Sequence, residues 1–169
     1  MRGTMRGAVL FFSGLIVGVG LMASVAAQGA FNAGLRLNHV GISVPNFQET
    51  LNFYEKVMGY RVAYRFPPNP DGRPSTAFIQ ISRDTFIELA PAANADAKPS
   101  ITHIGVGADN VAATVARLKQ NGATNTTDPR PSENTGSRLA NVTDPAGIRT
   151  ELNEQPPDSL MSKAIASWK

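Results

Sequence analysis

The sequence predicts an α+β fold built from two βαβββ modules, and two observations lead to this prediction. The first is a repeat. Residues 37–46 (LNHVGISVPN) and residues 101–110 (ITHIGVGADN) both alternate apolar with polar or small positions, as a strand with two different faces does. The second is that each copy is followed by an amphipathic segment that ends at a glycine, and then by three shorter strand candidates.

Apolar spacing after each copy predicts the two helices. The apolar stripes consist of Leu51, Tyr54, Val57 and Met58 in the first helix and of Val111, Val115 and Leu118 in the second. Asn46 is a candidate capping residue for the first helix, and Asp109 and Asn110 are candidates for the second. Gly59 and Gly122 are expected to end them.

The remaining strands are predicted between clusters of turn-forming residues. They are expected over residues 60–66, 76–82 and 85–90 in the first half, and over residues 123–127, 137–142 and 148–153 in the second. Proline and glycine runs at residues 67–72, 128–131 and 144–147 separate them. A polar stretch at residues 92–100 joins the halves, and a short terminal helix is expected over residues 159–168.

The first 27 residues have the parts of a secretory signal peptide. Arg2 and Arg6 precede an apolar run over residues 8–23, and small residues follow at positions 25–27. An uncleaved membrane anchor is the alternative, but the run is short and contains three glycines, which favours cleavage. The predicted organisation is a signal peptide (1–27), a flexible segment (28–34), a domain (35–155, with modules 35–91 and 100–154) and a C-terminal tail (156–169). The predicted location is periplasmic or secreted.

Composition excludes several classes of function. The chain of 169 residues is long enough for one domain, with 42% hydrophobic and 17% charged residues. It contains no cysteine, so disulfides, thiolate metal sites and cysteine nucleophiles are excluded. Cleavage after residue 27 would lower the net charge from +3 to +1, and no basic cluster with interleaved aromatic residues occurs. We therefore expect no nucleic-acid partner and no stable membrane insertion of the mature chain.

Four residues at matched positions are the candidate functional set. Glu88 follows His39 by 49 residues and Glu151 follows His103 by 48, and the chain has no other histidine. Each module therefore places a histidine in its first strand and a glutamate in its last. Side chains alternate across a strand, so all four point away from the aliphatic neighbours that suit packing under the helices.

Two module sheets facing one another would enclose these four side chains in a cleft. Two carboxylates close together in a partly dry site repel each other, and a divalent cation removes that repulsion while giving each imidazole a partner. Two nitrogen and two oxygen ligands without sulfur suit Ni, Mn, Fe, Co or Zn. The sequence therefore predicts one divalent metal ion held by His39, Glu88, His103 and Glu151.

The segments around these residues resemble the vicinal oxygen chelate superfamily, the group of glyoxalases, bleomycin-resistance proteins and extradiol dioxygenases. The matching segments are residues 38–42 (NHVGI), 53–59 (FYEKVMG), 86–89 (FIEL), 101–104 (ITHI) and 144–152 (DPAGIRTEL). The resemblance implies that the two modules form a U-shaped mixed-sheet barrel around one metal. It also implies a small-molecule substrate and leaves open a homodimer, since many relatives pair.

In the glyoxalase I and epimerase branches the metal chelates vicinal oxygens of the substrate and stabilises an enediolate. The resemblance therefore implies a lyase or isomerase, with Glu151 as the first candidate for the catalytic base, Glu88 as the second, and His39 and His103 as ligands only. An extradiol dioxygenase is one alternative, for which His39, His103 and Glu151 suffice. A non-catalytic binding protein of the bleomycin-resistance kind is the other, although such relatives commonly lack the metal ligands.

Two departures from the family pattern mean that the identity of the substrate does not follow from the resemblance. The residues after Glu88 lack the asparagine-containing continuation of glutathione-using glyoxalase I, and export argues against glutathione or coenzyme A thioesters. An anionic substrate would need cationic side chains near the metal. The arginines considered for this role are Arg61, Arg65, Arg73, Arg130 and Arg138.

Overall fold

Eight strands form in the part of the chain that the computed structural model describes, residues 34–169. The first module contains β1 (Leu35–Val44), α1 (Phe47–Asn52), β2 (Arg61–Arg65), β3 (Ala77–Ser82) and β4 (Thr85–Pro91). The second contains β5 (Ser100–Ala108), α2 (Val111–Gln120), β6 (Arg130–Ser132), β7 (Ser137–Thr143) and β8 (Arg149–Glu154), and is followed by α3 (Leu160–Ala166). The predicted signal peptide and nearly all of the segment 28–34 lie outside the described residues.

All eight strands belong to one mixed sheet with the order β2-β3-β4-β1-β5-β8-β7-β6. Within each module the first strand runs parallel to the last, β1 beside β4 and β5 beside β8. The modules join through antiparallel pairing of β1 with β5. The predicted α+β fold of two βαβββ modules is confirmed. The two module sheets are not separate layers, however, but one continuous, open sheet with edge strands β2 and β6.

Each module buries its own apolar core between the sheet and its helix. Under α1 the core residues are Val44, Phe47, Leu51, Ala77, Ile79 and Leu89. Under α2 they are Ala108, Val111, Val115, Ala140 and Leu152. Alternation along the strands places these residues on the outer face of the sheet and leaves the opposite, inner face for the polar positions.

The first helix changes geometry at its midpoint. After α1 the chain continues as a π-helical turn over Phe53–Val57, in which the amide of Met58 donates to the carbonyl of Phe53, five residues earlier. The wider turn rotates the following residues, so Val57 and Met58 are exposed while Leu51 is fully buried. The predicted apolar stripe was therefore wrong in its second half, because it assumed regular α-helical spacing throughout.

Only part of the predicted helix capping occurs. The Asn110 side chain accepts a hydrogen bond of 2.8 Å from the amide of Ala113, whereas Asn46 makes no side-chain capping bond. Gly59 and Gly122 follow the two helical segments with φ angles of +71° and +95°. This left-handed conformation favours glycine and confirms both as the residues where the helices end.

The edge of the second module differs from the prediction. Residues 123–127 form no strand and contribute one isolated bridge, between Thr126 and Val142. The strand of this edge is instead β6, which lies in the proline-containing run that the sequence suggested was a turn. Proline lacks an amide donor, but on an edge strand that side of the backbone needs no partner, so Pro131 is tolerated there.

The terminal helix α3 lies against the inner face of the first module. Met161 and Ala164 pack on Phe78 and Phe86, and Ser159 caps the helix by accepting a hydrogen bond from the amide of Ser162. The inner face is therefore partly covered by a helix, which the sequence did not suggest. Within residues 34–169 no helix has the length and apolar character needed to cross a membrane.

Candidate metal centre

The four candidate residues occupy the four central strands of the sheet. In the strand register, Gly41 of β1 lies between Glu88 of β4 and His103 of β5. Gly105 of β5 lies in the same way between His39 of β1 and Glu151 of β8. Two rows of glutamate, glycine and histidine therefore cross the sheet side by side, in opposite directions.

A glycine in the middle of each row leaves room for an imidazole. A Cβ atom built on Gly41 would approach the His103 ring closer than 3.0 Å, and one built on Gly105 would approach the His39 ring equally closely. Each histidine ring therefore lies over the glycine of the neighbouring strand. The His-x-Gly pattern of both repeats places ring and gap two residues apart, on the same face of each strand.

The side chains from these rows converge on one point. One ligand atom of each residue lies within 4.8 Å of the others. Neighbouring strands are about 4.8 Å apart, so on a flat sheet β4 and β8 would be separated by roughly 14 Å. Glutamate side chains cannot span that separation and still meet, so the sheet must curve around its inner face, as the expected U shape requires.

The distances between the ligand atoms suit a metal ion. The two Nε2 atoms are 2.9 Å apart, and Oε2 of Glu88 lies 3.4 Å from Nε2 of His39 and 3.3 Å from Nε2 of His103. Oε1 of Glu151 lies 3.6 Å from Nε2 of His39. Ligands held about 2.1 Å from a metal are separated by roughly 3.0 to 3.4 Å when adjacent, so the donor set fits a divalent ion.

The cluster places ionisable side chains in a largely buried site, where an unpaired charge is costly. His39 and His103 are buried, and the side chains of Glu88 and Glu151 are 22% and 12% exposed. Burial raises the pKa of Glu88, but hydrogen bonds and charge interactions with His103 and His39 outweigh it, so the pKa falls to about 2. A carboxylate that stays ionised in a largely buried site is suited to bind a cation.

Polar neighbours orient the ligands. Nδ1 of His39 lies 2.8 Å from Oδ1 of Asn38, and Nδ1 of His103 lies 2.9 Å from Oγ1 of Thr102. In each module the residue preceding the histidine thus supplies an oxygen that can accept the Nδ1 proton, which leaves Nε2 free to bind a metal.

The Glu151 carboxylate is connected to a series of hydrogen-bonded amide side chains. The amide nitrogen of Asn153 donates to Oε1 of Glu151 at 3.4 Å, and Gln155 donates to Asn153. Gln155 in turn accepts hydrogen bonds from Ser137 and Ser159, the second of which caps α3. A line of polar side chains on the inner face of β8 therefore connects the cluster to the terminal helix.

Among the described residues, Arg149 contacts the cluster, and it is not one of the arginines considered from the sequence. Nη2 of Arg149 lies 2.8 Å from Nδ1 of His103, and Nη1 lies 3.5 Å from Oδ1 of Asn141. Arg149 precedes Glu151 by two residues on β8, so strand alternation places both on the inner face. The same alternation gives its face of the sheet from the sequence, but not its contact with His103.

The arginines that were considered have other surroundings. Arg61 donates to the carbonyl of Ala164 and its guanidinium lies 5.6 Å from the Trp168 ring centre, so it holds the C-terminal segment. Arg73 is paired with Asp71. It lines a cavity of about 600 Å³ beside the start of α1, which includes none of the four cluster residues.

The other three lie on strands away from the cluster. Arg65 pairs with Ala77 and Arg138 with Glu154, positions on the outer face of the sheet, while Arg130 is exposed on the edge strand β6. Strand order could not be read from the sequence well enough to place them.

An aromatic wall borders the cluster on the side of the first module. Phe78 lies edge-on to the His39 ring at 6.0 Å and stacks on Tyr64 at 4.6 Å. The Tyr64 hydroxyl is buried and has no hydrogen-bond partner within the described part of the chain. Burial and the nearby charges of Glu88 and Glu151 raise its pKa well above its usual value, so the phenol stays neutral and can donate a hydrogen bond.

The fold and the cluster together define a class of α+β proteins in which two βαβββ modules share one set of histidine and glutamate side chains. The family model of the Glyoxalase/Bleomycin resistance protein/Dioxygenase superfamily matches residues 36–152. The chain belongs to this family, as the sequence segments predicted.

Curated relatives narrow the class further. The chain is 32% identical over 127 residues to the lactoylglutathione lyase of Escherichia coli O157:H7, covering 72% of this chain and 93% of that protein. It is 28% identical over 124 residues to the lactoylglutathione lyase of Neisseria meningitidis serogroup A, covering 70% and 89%. These relatives confirm the prediction of an enzyme of the lyase or isomerase type.

Solved structures confirm the fold. Methylmalonyl-CoA epimerase from Mycobacterium tuberculosis superposes with a TM-score of 0.60 at 21% identity, covering 72% of this chain and 88% of that one. A methylmalonyl-CoA epimerase in complex with methylmalonyl-CoA and NH4+ gives a TM-score of 0.62 at 22% identity, covering 75% and 99%.

Proposed function

We propose that the chain is an exported, metal-dependent enzyme, a glyoxalase I-like or epimerase-like lyase or isomerase acting on a small substrate that chelates through two oxygens. One observation carries this proposal: two imidazoles and two carboxylates from four adjacent strands meet within 4.8 Å. The metal would supply Lewis-acid stabilisation of the negative charge of an enediolate, and Ni, Zn, Mn, Fe and Co all suit the ligand set.

His39, Glu88, His103 and Glu151 would hold the metal, and the two glutamates differ in their freedom to move a proton. Glu88 lies within 3.4 Å of both Nε2 atoms, whereas Glu151 approaches only His39, at 3.6 Å. Glu151 is therefore less tied to the imidazoles and is the better candidate to accept a proton from a substrate carbon. Asn153 would keep its carboxylate in position.

The remaining site residues would bind and shield the substrate. The neutral Tyr64 hydroxyl would donate a hydrogen bond to a substrate oxygen, which would satisfy a buried group that has no other partner in residues 34–169. Phe78 and α3 would exclude water from the inner face of the first module. Water exclusion strengthens the interaction between the substrate's developing charge and the polar groups of the site.

The two alternative activities are less well supported by the geometry. An extradiol dioxygenase needs two histidines and one carboxylate with open positions for oxygen and a catechol, and the approach of Glu88 to both imidazoles fills one of them. A non-catalytic binding protein would have no use for a complete set of four ligands. We therefore favour proton transfer over ring cleavage and over passive binding.

We do not assign the substrate of the lactoylglutathione lyases to this chain. The sequence after Glu88 departs from the glutathione-using pattern, and residues 1–27 carry the features of an export signal. We propose a small oxygen chelator that is not a glutathione or coenzyme A thioester. The proposed location is the periplasm or the exterior, with a membrane-anchored form as the alternative. We also propose a homodimer. All four cluster residues come from one chain, so the site itself does not require a second copy.

Elemental analysis of the purified protein, followed by Glu151→Gln, tests the proposal. We expect about one equivalent of a divalent metal in the wild type, and a loss of turnover of at least a hundredfold in Glu151→Gln with substrates found by screening. Glu133→Gln, which changes an exposed glutamate in the turn between β6 and β7, is the matched control and should behave as the wild type. Unchanged metal content and turnover in Glu151→Gln would refute the assignment.

A further inference from the structure

Arg149 places a positive charge beside the cluster. A divalent metal would already balance the charges of the two carboxylates, so this further positive charge is not needed to hold the metal. The Arg149 guanidinium lies 2.8 Å from Nδ1 of His103 and 3.5 Å from Oδ1 of Asn141, an imidazole and an amide rather than a carboxylate. Among the described residues no carboxylate forms an ion pair with it, whereas Arg36, Arg73 and Arg83 each have one. A half-buried arginine that forms no direct ion pair keeps its N–H donors available to bind an anion.

The contact with His103 does not suit a metal-loaded site. A neutral histidine that binds metal through Nε2 carries its proton on Nδ1, and that proton needs an acceptor. Oγ1 of Thr102, at 2.9 Å, can accept it, but a guanidinium has only donors. With metal bound, the guanidinium must therefore turn away from Nδ1, and its nearest other partner is the weakly held Asn141 oxygen.

We propose that Arg149 is a specificity-determining residue that binds a carboxylate on the substrate, beyond the two oxygens that chelate the metal. This inference rests on the proposed metal-dependent function and deepens it, because it assigns the substrate class as a small oxygen chelator with an additional carboxylate. The planar guanidinium fork matches a carboxylate with two parallel hydrogen bonds, which a lysine cannot reproduce. None of the five arginines considered from the sequence offers this charge to the cluster.

A pair of hydroxamates tests the assignment on the Ni²⁺-loaded full chain. Acetohydroxamate and the monohydroxamate of succinic acid have the same two-oxygen chelating head, but only the second has a free carboxylate. Isothermal titration should show the wild type binding the succinic probe about tenfold to a hundredfold more tightly than acetohydroxamate. Arg149→Gln should abolish this preference and Arg149→Lys should retain part of it. Arg130→Gln, which removes an exposed edge-strand arginine, should leave it unchanged.

Metal affinity is the second readout, and it separates the possible failures. Arg149→Gln should bind Ni²⁺ as tightly as the wild type or more tightly, since a donor facing Nδ1 has been removed. Equal affinity of the wild type for both probes, or a preference that survives in Arg149→Gln, overturns the inference while the metal site stands. Loss of both metal and probe binding in Arg149→Gln and Arg149→Lys assigns a structural role and also overturns it. Absence of metal binding in the wild type overturns the proposed function and this inference together.

Discussion

At the scale of single residues, two glycines decide whether the cluster can form. The rings of His39 and His103 lie over Gly105 and Gly41, where any side chain would collide with an imidazole. A histidine in the first strand of each module is therefore not sufficient by itself. The partner module must also present a gap at the matching register position.

Gly105→Ala should weaken metal binding at least tenfold, because the added methyl group displaces the His39 ring from the other three ligands. Competition with a chromophoric chelator measures the affinity. Gly107→Ala is the matched control on the same strand, since the atoms nearest to a Cβ there belong to the flexible side chain of Arg36, the first at 3.3 Å. Equal affinities of the two variants would contradict the close packing of ring over glycine.

The sequence was informative about the four cluster residues and less so about their surroundings. Repetition at matched spacing identified His39, Glu88, His103 and Glu151, and strand alternation gave their common face. Arg149 obeys the same alternation, but an arginine two residues before a glutamate has no distinctive pattern. Its contact with His103 depends on the pairing of β5 with β8, which local sequence does not encode.

At the scale of elements, α3 links the stability of the chain to the site. Met161 is 1% exposed and packs on Phe78 and Phe86, the first of which lies against His39. The sequence predicted a short terminal helix over residues 159–168, and the structure has one over Leu160–Ala166. It gave no indication of the face of the sheet that the helix covers, because that contact is non-local.

Met161→Ala should lower the free energy of unfolding by about 2 to 4 kcal/mol, the usual cost of removing a large buried side chain. Met58→Ala removes the same atoms from an exposed position and should change it by less than about 0.5 kcal/mol. Urea unfolding of the metal-free proteins provides the comparison. Similar losses in both variants would show that α3 is not packed on the sheet as described.

Local rules failed at two elements for identifiable reasons. The π-helical turn after α1 changes the helical period, so the stripe of apolar residues no longer marks the buried face. Strand β6 contains Pro131, which usually indicates a turn, yet edge position makes the missing amide harmless. Both outcomes depend on neighbours in space rather than in sequence.

At the scale of the whole molecule, the antiparallel pairing of β1 with β5 is the contact that creates the site. It pairs His39 with Gly105 and His103 with Gly41, and so brings two histidines that are 64 residues apart in sequence into contact. The repeat in the sequence predicted two equivalent modules, and these are present. It suggested two facing sheets, whereas the modules share one curved sheet, because the first strand of each module still has a free edge that the other can occupy.

Because the cluster is assembled from strands of both modules, metal binding depends on the folded state of the whole domain. The four proposed ligands lie on four strands from both modules. An unfolded chain does not hold them together, so metal binding to them would stabilise the native state. A metal concentration one hundred times the Kd should add about 2.7 kcal/mol and raise the Tm on the order of 10 °C. Differential scanning calorimetry with Ni²⁺, then with excess EDTA, should show the rise and its reversal. Glu88→Gln should lose most of the rise and Glu133→Gln should retain it, whereas an equal rise in both would place the bound metal elsewhere on the protein.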